Sequence, residues 1–188
     1  MTGTEHGSAA GRPRPGGDPA GPGEPDRAAP AGEHEVPAIP ASASAMIFDR
    51  RSRLLILEPT YKSGWTLPGG EVEAGGETPW QACRREVAEE CGLEISSGTL
   101  ACVDFRPAKP GRAGGLRFLF DCGVLADELL AAVRLQAEEI SQYRLAPLDA
   151  ALALLSKPVR RRVRRAAGAA GVLYLEDGRP VPGVRGRR

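Results

Sequence analysis

The chain has 188 residues, 25 of them Lys or Arg and 24 Asp or Glu, for a formal net charge of +1. That length suits one domain with a sizeable core and appendages better than two ordinary domains, and the near-neutral balance excludes a global field drawing the chain onto nucleic acid or an anionic membrane. The four cysteines, Cys83, Cys91, Cys102 and Cys122, form no CxxC pair, and both histidines, His6 and His34, lie near the N-terminus, so reduced thiols are expected rather than a zinc site or a disulfide framework. No apolar run reaches membrane-spanning length and the opening residues lack a signal-peptide core, which leads us to expect no membrane contact and a cytoplasmic location.

Residues 1–40 are crowded with Gly, Pro, Ala and charged side chains and are expected to be a disordered extension. The folded domain is expected over residues 41–155. Its first strand is read at Ala43–Phe48, a second at Leu54–Leu57, and a third at Trp65–Leu67, feeding a tight loop at Pro68-Gly69-Gly70. A helix follows, with Thr78 as its cap, Pro79 at the first position, Gln81 completing a capping box and Gly92 as its stop. Leu100–Phe105 and Leu116–Leu125 are strand candidates across a Pro/Gly-rich loop, and Ile140–Leu145 is another. Pro147–Leu155 reads as helical, and residues 156–188 as a basic, helical C-terminal extension, either free or packed on the domain, with a helix at Val159–Ala167, a short apolar segment at Val172–Leu175 and a turn at Asp177-Gly178. Strands interspersed with helices without strict alternation indicate an α/β sandwich on a mixed sheet.

Chemistry concentrates between Leu67 and Glu94. Glu86, Glu89 and Glu90 are spaced three and four residues apart, which puts them on one helix face. Like charges so close repel, and a hard, oxygen-seeking cation turns that repulsion into a site; magnesium fits best, with manganese as the alternative. An exposed acidic stripe paired with Arg84 and Arg85 is the plain reading of the helix taken alone. The glycines ahead of it, Gly69, Gly70, Gly75 and Gly76, tilt the balance, because they let backbone approach a diphosphate closely. Without a histidine in the domain, a glutamate is the economical proton acceptor.

These residues resemble the Nudix hydrolase signature: a Gly, five residues, a Glu, seven residues, then Arg-Glu-aliphatic-x-Glu-Glu-x-Gly-aliphatic. Glu77, seven residues, and the run from Arg85 to Leu93 match its second portion in full. The first portion departs by one residue, six rather than five separating Gly70 from Glu77. The resemblance implies a Nudix α/β/α sandwich, a supporting Glu77–Arg85 ion pair, metal binding by Glu89 and Glu90, metal binding or base action by Glu86, and a metal-ligating carbonyl at Gly70. Glu138 and Glu139 resemble the position at which some members carry an additional acidic group; a solvated pair at a strand entrance is the competing reading. The implied activity is metal-dependent hydrolysis of a diphosphate linkage in a nucleoside diphosphate joined to another moiety. The alternatives are a nucleoside triphosphate diphosphohydrolase and a non-catalytic nucleotide-binding domain. Trp65, Tyr61, Phe105 and Phe118 are candidates for stacking a base, though each equally suits a core. The arginines of 160–165 read better as a solvated face, or one paired with acidic groups of the domain, than as an RNA contact, and a homo-oligomer stays open.

Overall fold

The structure, a computed structural model, describes residues 38–111 and 113–184; most of the expected N-terminal extension lies outside them. The elements in chain order are β1 (Ala41–Phe48), β2 (Arg53–Pro59), β3 (Gly69–Glu71), α1 (Pro79–Cys91), β4 (Thr99–Arg106), β5 (Gly115–Val124), α2 (Asp127–Ala131), β6 (Ile140–Pro147), α3 (Leu148–Leu154), α4 (Lys157–Ala166), β7 (Leu173–Glu176) and β8 (Arg179–Pro180). The strands make one sheet in the order β6-β2-β1-β5-β4-β7-β8, with β3 pairing β1 beside that path. The sheet is mixed: β5 runs parallel to β1 and β7 parallel to β4, whereas β2, β3 and β6 pair antiparallel. No helix among the described residues is long and apolar enough to cross a membrane.

Helices cover both faces, so the central strands are apolar on both sides. The unbroken Leu54–Leu57 run divides by alternation: Leu55 and Leu57 join Ala43, Ala45, Ile47, Ala82 and Val87 under α1, while Leu54 and Ile56 join Met46, Leu152, Leu155 and Val163 under α3 and α4. The second of these cores includes the C-terminal region. Val163 and Ala166 of α4 are buried in it, and Leu175 brings β7 against the edge of β4.

The strand read at Trp65–Leu67 is displaced. Trp65 and Thr66 make only isolated bridges, to Leu155 and Leu57, and the continuous pairing begins at the glycines, with Ser44 opposite Gly69 and Ser42 opposite Glu71. Glycine has no strand propensity of its own, so this strand is set by its partner: a Cβ at residue 69 would collide with the Ala43 carbonyl and the Ser44 backbone, and only glycine lets β3 lie this close. The short helix α2 is a further element that the sequence pattern does not signal.

Candidate active site

Helix α1 is held at both ends by its own sequence. The Thr78 side chain accepts from the Gln81 amide and the Gln81 side chain accepts from the Thr78 amide, the complete capping box, and Gly92 takes the left-handed conformation (φ 65°) that closes the helix. Ala82, Cys83, Val87 and Cys91 face the sheet. That orientation turns Glu86 and Glu90 toward the β3 backbone and leaves Glu89 half-exposed, with 51% of its side chain open to solvent.

Glu90 is only 3% exposed, and its Oε2 accepts from the Gly69 amide at 2.7 Å. Burial pushes its carboxyl up to about 7 against the pull of that amide, and the charges of Glu86 and Glu139 add to the rise. The Glu86 carboxylate rests on Gly70 so closely that a Cβ there would fall inside it. Burial raises Glu86 as well, opposed by Arg85.

Arg85 organises the remainder. Its Nε and Nη2 donate to the two carboxylate oxygens of Glu77 at 2.9 and 3.2 Å, Nη1 donates to Glu86 Oε1 and to Glu89 Oε2, each at 2.9 Å, and Nη2 also donates to the Glu71 carbonyl at 3.0 Å. All five guanidinium N–H groups are thereby used. Glu77 is fixed from a second side by the Glu73 amide, at 2.7 Å, and its carboxyl is held low chiefly by Arg85. The loop between Gly70 and Glu77 therefore folds back onto the helix, through Gly75 and Gly76, both at positive φ (98° and 99°) with open space around them.

The structure thus gathers Glu77, Arg85, Glu86, Glu89, Glu90 and Gly70 at one place. Glu139, exposed at the entrance to β6, acts there through its charge; Glu138 gives its backbone carbonyl to the Thr60 hydroxyl at 2.8 Å. The donor chemistry suits a hard divalent cation: all oxygen, mostly carboxylate, with burial and mutual repulsion at Glu90 only partly offset by the Gly69 amide and Lys62. In this arrangement Arg85 occupies one oxygen each of Glu86 and Glu89, and no three acidic, Cys or His side chains among the described residues converge at ligating spacing.

On the opposite face of the sheet the glycine turn also walls a cleft of about 660 Å³, lined by Ser42, Ser44, Arg106, Arg117 and Arg162 among others. The sequence did single out the arginine run, but not Arg117 or Asp104. Their signal is a charge at an inward-facing alternate position of an apolar strand, as in Gly-Leu-Arg-Phe-Leu-Phe of β5. Of the aromatic candidates, Trp65 is buried beneath the Arg144 guanidinium, Phe118 packs into the α1-side core, and only Tyr61, exposed, stands at the cleft.

Residues 38–167 match the family model for the NUDIX domain. Over 62 residues the chain is 37% identical to an 8-oxo-dGTP diphosphatase from Proteus vulgaris, an alignment covering 31% of this chain and 54% of that protein; the chain spans about half the length of the curated relative it matches. Among solved structures it is similar to the MutT protein from Methanosarcina mazei Go1, at 26% identity and a TM-score of 0.57 over 73% of this chain and 100% of that one. It shares its fold with a NUDIX hydrolase from Nitrosomonas europaea, at 20% identity and a TM-score of 0.58 over 80% and 98% of the two chains. The carboxylate helix, its arginine clamp and the glycine turn stand inside the matched region, and the chain belongs to the Nudix family.

Proposed function

We propose that the protein hydrolyses the diphosphate linkage of a nucleoside diphosphate joined to another moiety, by attack of water on phosphorus, with magnesium as cofactor and manganese as its substitute. The observation that carries this is the convergence of Glu86 and Glu90 on the Gly69-Gly70 backbone while Arg85 locks the loop through Glu77. Glu86, Glu89 and Glu90, with the Gly70 carbonyl, would hold the cation, which supplies neutralisation of the diphosphate charge and acidifies water. Glu86, whose carboxylate rests against the Gly70 backbone, is the carboxylate suited to accept the water proton if it does not ligate the cation. Glu77 and Arg85 position the turn and the helix relative to each other, and Glu139 contributes negative charge at the rim.

A second reading, removal of diphosphate from a nucleoside triphosphate, is favoured by the likeness to the Proteus vulgaris 8-oxo-dGTP diphosphatase. Product analysis on a magnesium-supplemented panel of ADP-ribose, nucleotide sugars and nucleoside triphosphates separates the two. The first reading predicts two monophosphate products from ADP-ribose; inorganic diphosphate from triphosphates alone moves the assignment to the second, and no turnover across the panel overturns both.

A further inference from the structure

The cleft on the α4 face is built for charge. Along one row of the sheet Ser42 stands opposite Arg117, and Arg117 opposite Asp104, so all three project to the same side. From α4 above them Arg162 leans onto Asp104 at 3.5 Å, and Arg106 enters from the end of β4. Apart from Glu71 at the rim, the carboxylates nearest these cations are already engaged. Asp104 accepts the Gly178 amide at 2.8 Å, and Asp177 pairs with Arg161 at 2.7 Å and more loosely with Arg106 at 4.0 Å. Arg117 has no carboxylate within ion-pair distance among the described residues; its one side-chain hydrogen bond goes to the Leu116 carbonyl.

Three guanidinium groups are therefore concentrated in one recess of a chain whose net charge is only +1. Burial, and after it the neighbouring Arg106, depresses the proton affinity of Arg117, opposed by Glu71 and Asp104. The recess is large enough for a nucleoside-sized group, and its walls are mostly serine, glycine and arginine, with one exposed tyrosine at the edge. Lys62 adds a fourth cation to the lining and Glu71 an acidic group at its rim, so cations outnumber carboxylates there and the recess selects by charge rather than by stacking. Gly69 and Gly70 form part of its wall and also support Glu90 and Glu86, so the glycine turn is common to both places.

We infer that this cleft binds a phosphate monoester carried on the substrate moiety remote from the cleaved diphosphate, held by Arg117 with Arg106 and Arg162. This rests on the diphosphate-hydrolase reading of the adjacent glutamates. Planar guanidinium groups pair with phosphate oxygens bidentately, and charge-assisted contacts of this kind discriminate by about tenfold to a hundredfold.

Matched pairs differing by one phosphate test it: coenzyme A against 3′-dephospho-coenzyme A, NADPH against NADH, and 2′-phospho-ADP-ribose against ADP-ribose. The full chain is expected to favour the phosphorylated member of at least one pair by about tenfold or more in kcat/KM. Arg117→Gln should bring that ratio close to one, and Arg117→Lys, which keeps the charge, should retain part of it. Equal rates within every pair, or a preference that survives in both Arg117→Gln and Arg162→Gln, overturn the inference and leave the hydrolase reading intact. If no pair is turned over, calorimetry with adenosine 3′,5′-bisphosphate against AMP decides: at least about tenfold tighter binding of the bisphosphate, lost in Arg117→Gln, supports the cleft although the hydrolase reading fails, and equal affinity overturns the cleft assignment. Melting curves of the variants verify that they are folded.

Discussion

Glu90 combines near-complete burial with a negative charge that a single backbone amide supports. Its displacement from an ordinary 4.5 to about 7 corresponds to about 3 kcal/mol at most. The sign follows from linkage: the folded state holds this proton more tightly than the unfolded chain, so metal-free stability is lowest above pH 7 and rises as pH falls toward 4.5. Glu90→Gln keeps an oxygen for the Gly69 amide and removes the charge. In a chelator it should raise stability at pH 8 by about 1–3 kcal/mol and have little effect near pH 4.5, as denaturant unfolding at the two pH values will check; destabilisation at pH 8 would contradict the assignment. Glu77 and Arg85 make the complementary case of a satisfied charge pair. Glu77→Gln and Arg85→Gln should each lower turnover by about tenfold or more through misplacement of the turn, and the double variant should lose little beyond either single one. Fully additive losses in a double-mutant cycle would show the two acting independently. At this scale the spacing of Glu86, Glu89 and Glu90 was legible, because helix geometry follows from register alone. Arg117 was not, because its importance depends on which strands lie beside β5.

Element by element, α1 was readable from end to end: its cap, its proline and its terminal glycine each have a local physical cause and require no knowledge of the rest of the chain. Strand β3 was not readable, since Gly69 and Gly70 carry no periodicity and become a strand only through β1. The loop joining these elements has one residue more than the family spacing. In the structure it is closed by the Glu73 amide donating to Glu77, so the longer path is accommodated around an intact Glu77–Arg85 pair. Deleting Gly75 should strain that closure and lower turnover by roughly tenfold, with a much smaller effect on the metal-free melting temperature, because neither glycine is packed against anything. Steady-state kinetics beside a melting curve will check it; unchanged turnover would mean that the extra length is absorbed away from the chemistry.

For the molecule as a whole, the mixed sheet and its two helical layers follow from continuous apolar runs in the central strands. The basic C-terminal segment was harder to read because its arginines conceal a buried stripe. Val159, Arg162, Val163 and Ala166 recur at helical spacing and face the sheet, and Arg161 and Arg162 meet Asp177 and Asp104 while Arg164 and Arg165 stay exposed. One sheet therefore carries the carboxylates on its α1 face and the arginine cleft on its α4 face, with the glycine turn between them. On the proposed function, Glu86, Glu89 and Glu90 act chemically rather than structurally. The most direct test is magnesium-dependent hydrolysis by purified Glu86→Gln, Glu89→Gln and Glu90→Gln, each against the parent chain on the best substrate found. Turnover should fall by about a hundredfold or more in each, with the metal-free melting temperature unchanged or raised; undiminished hydrolysis in all three would show that the three glutamates are only an acidic surface.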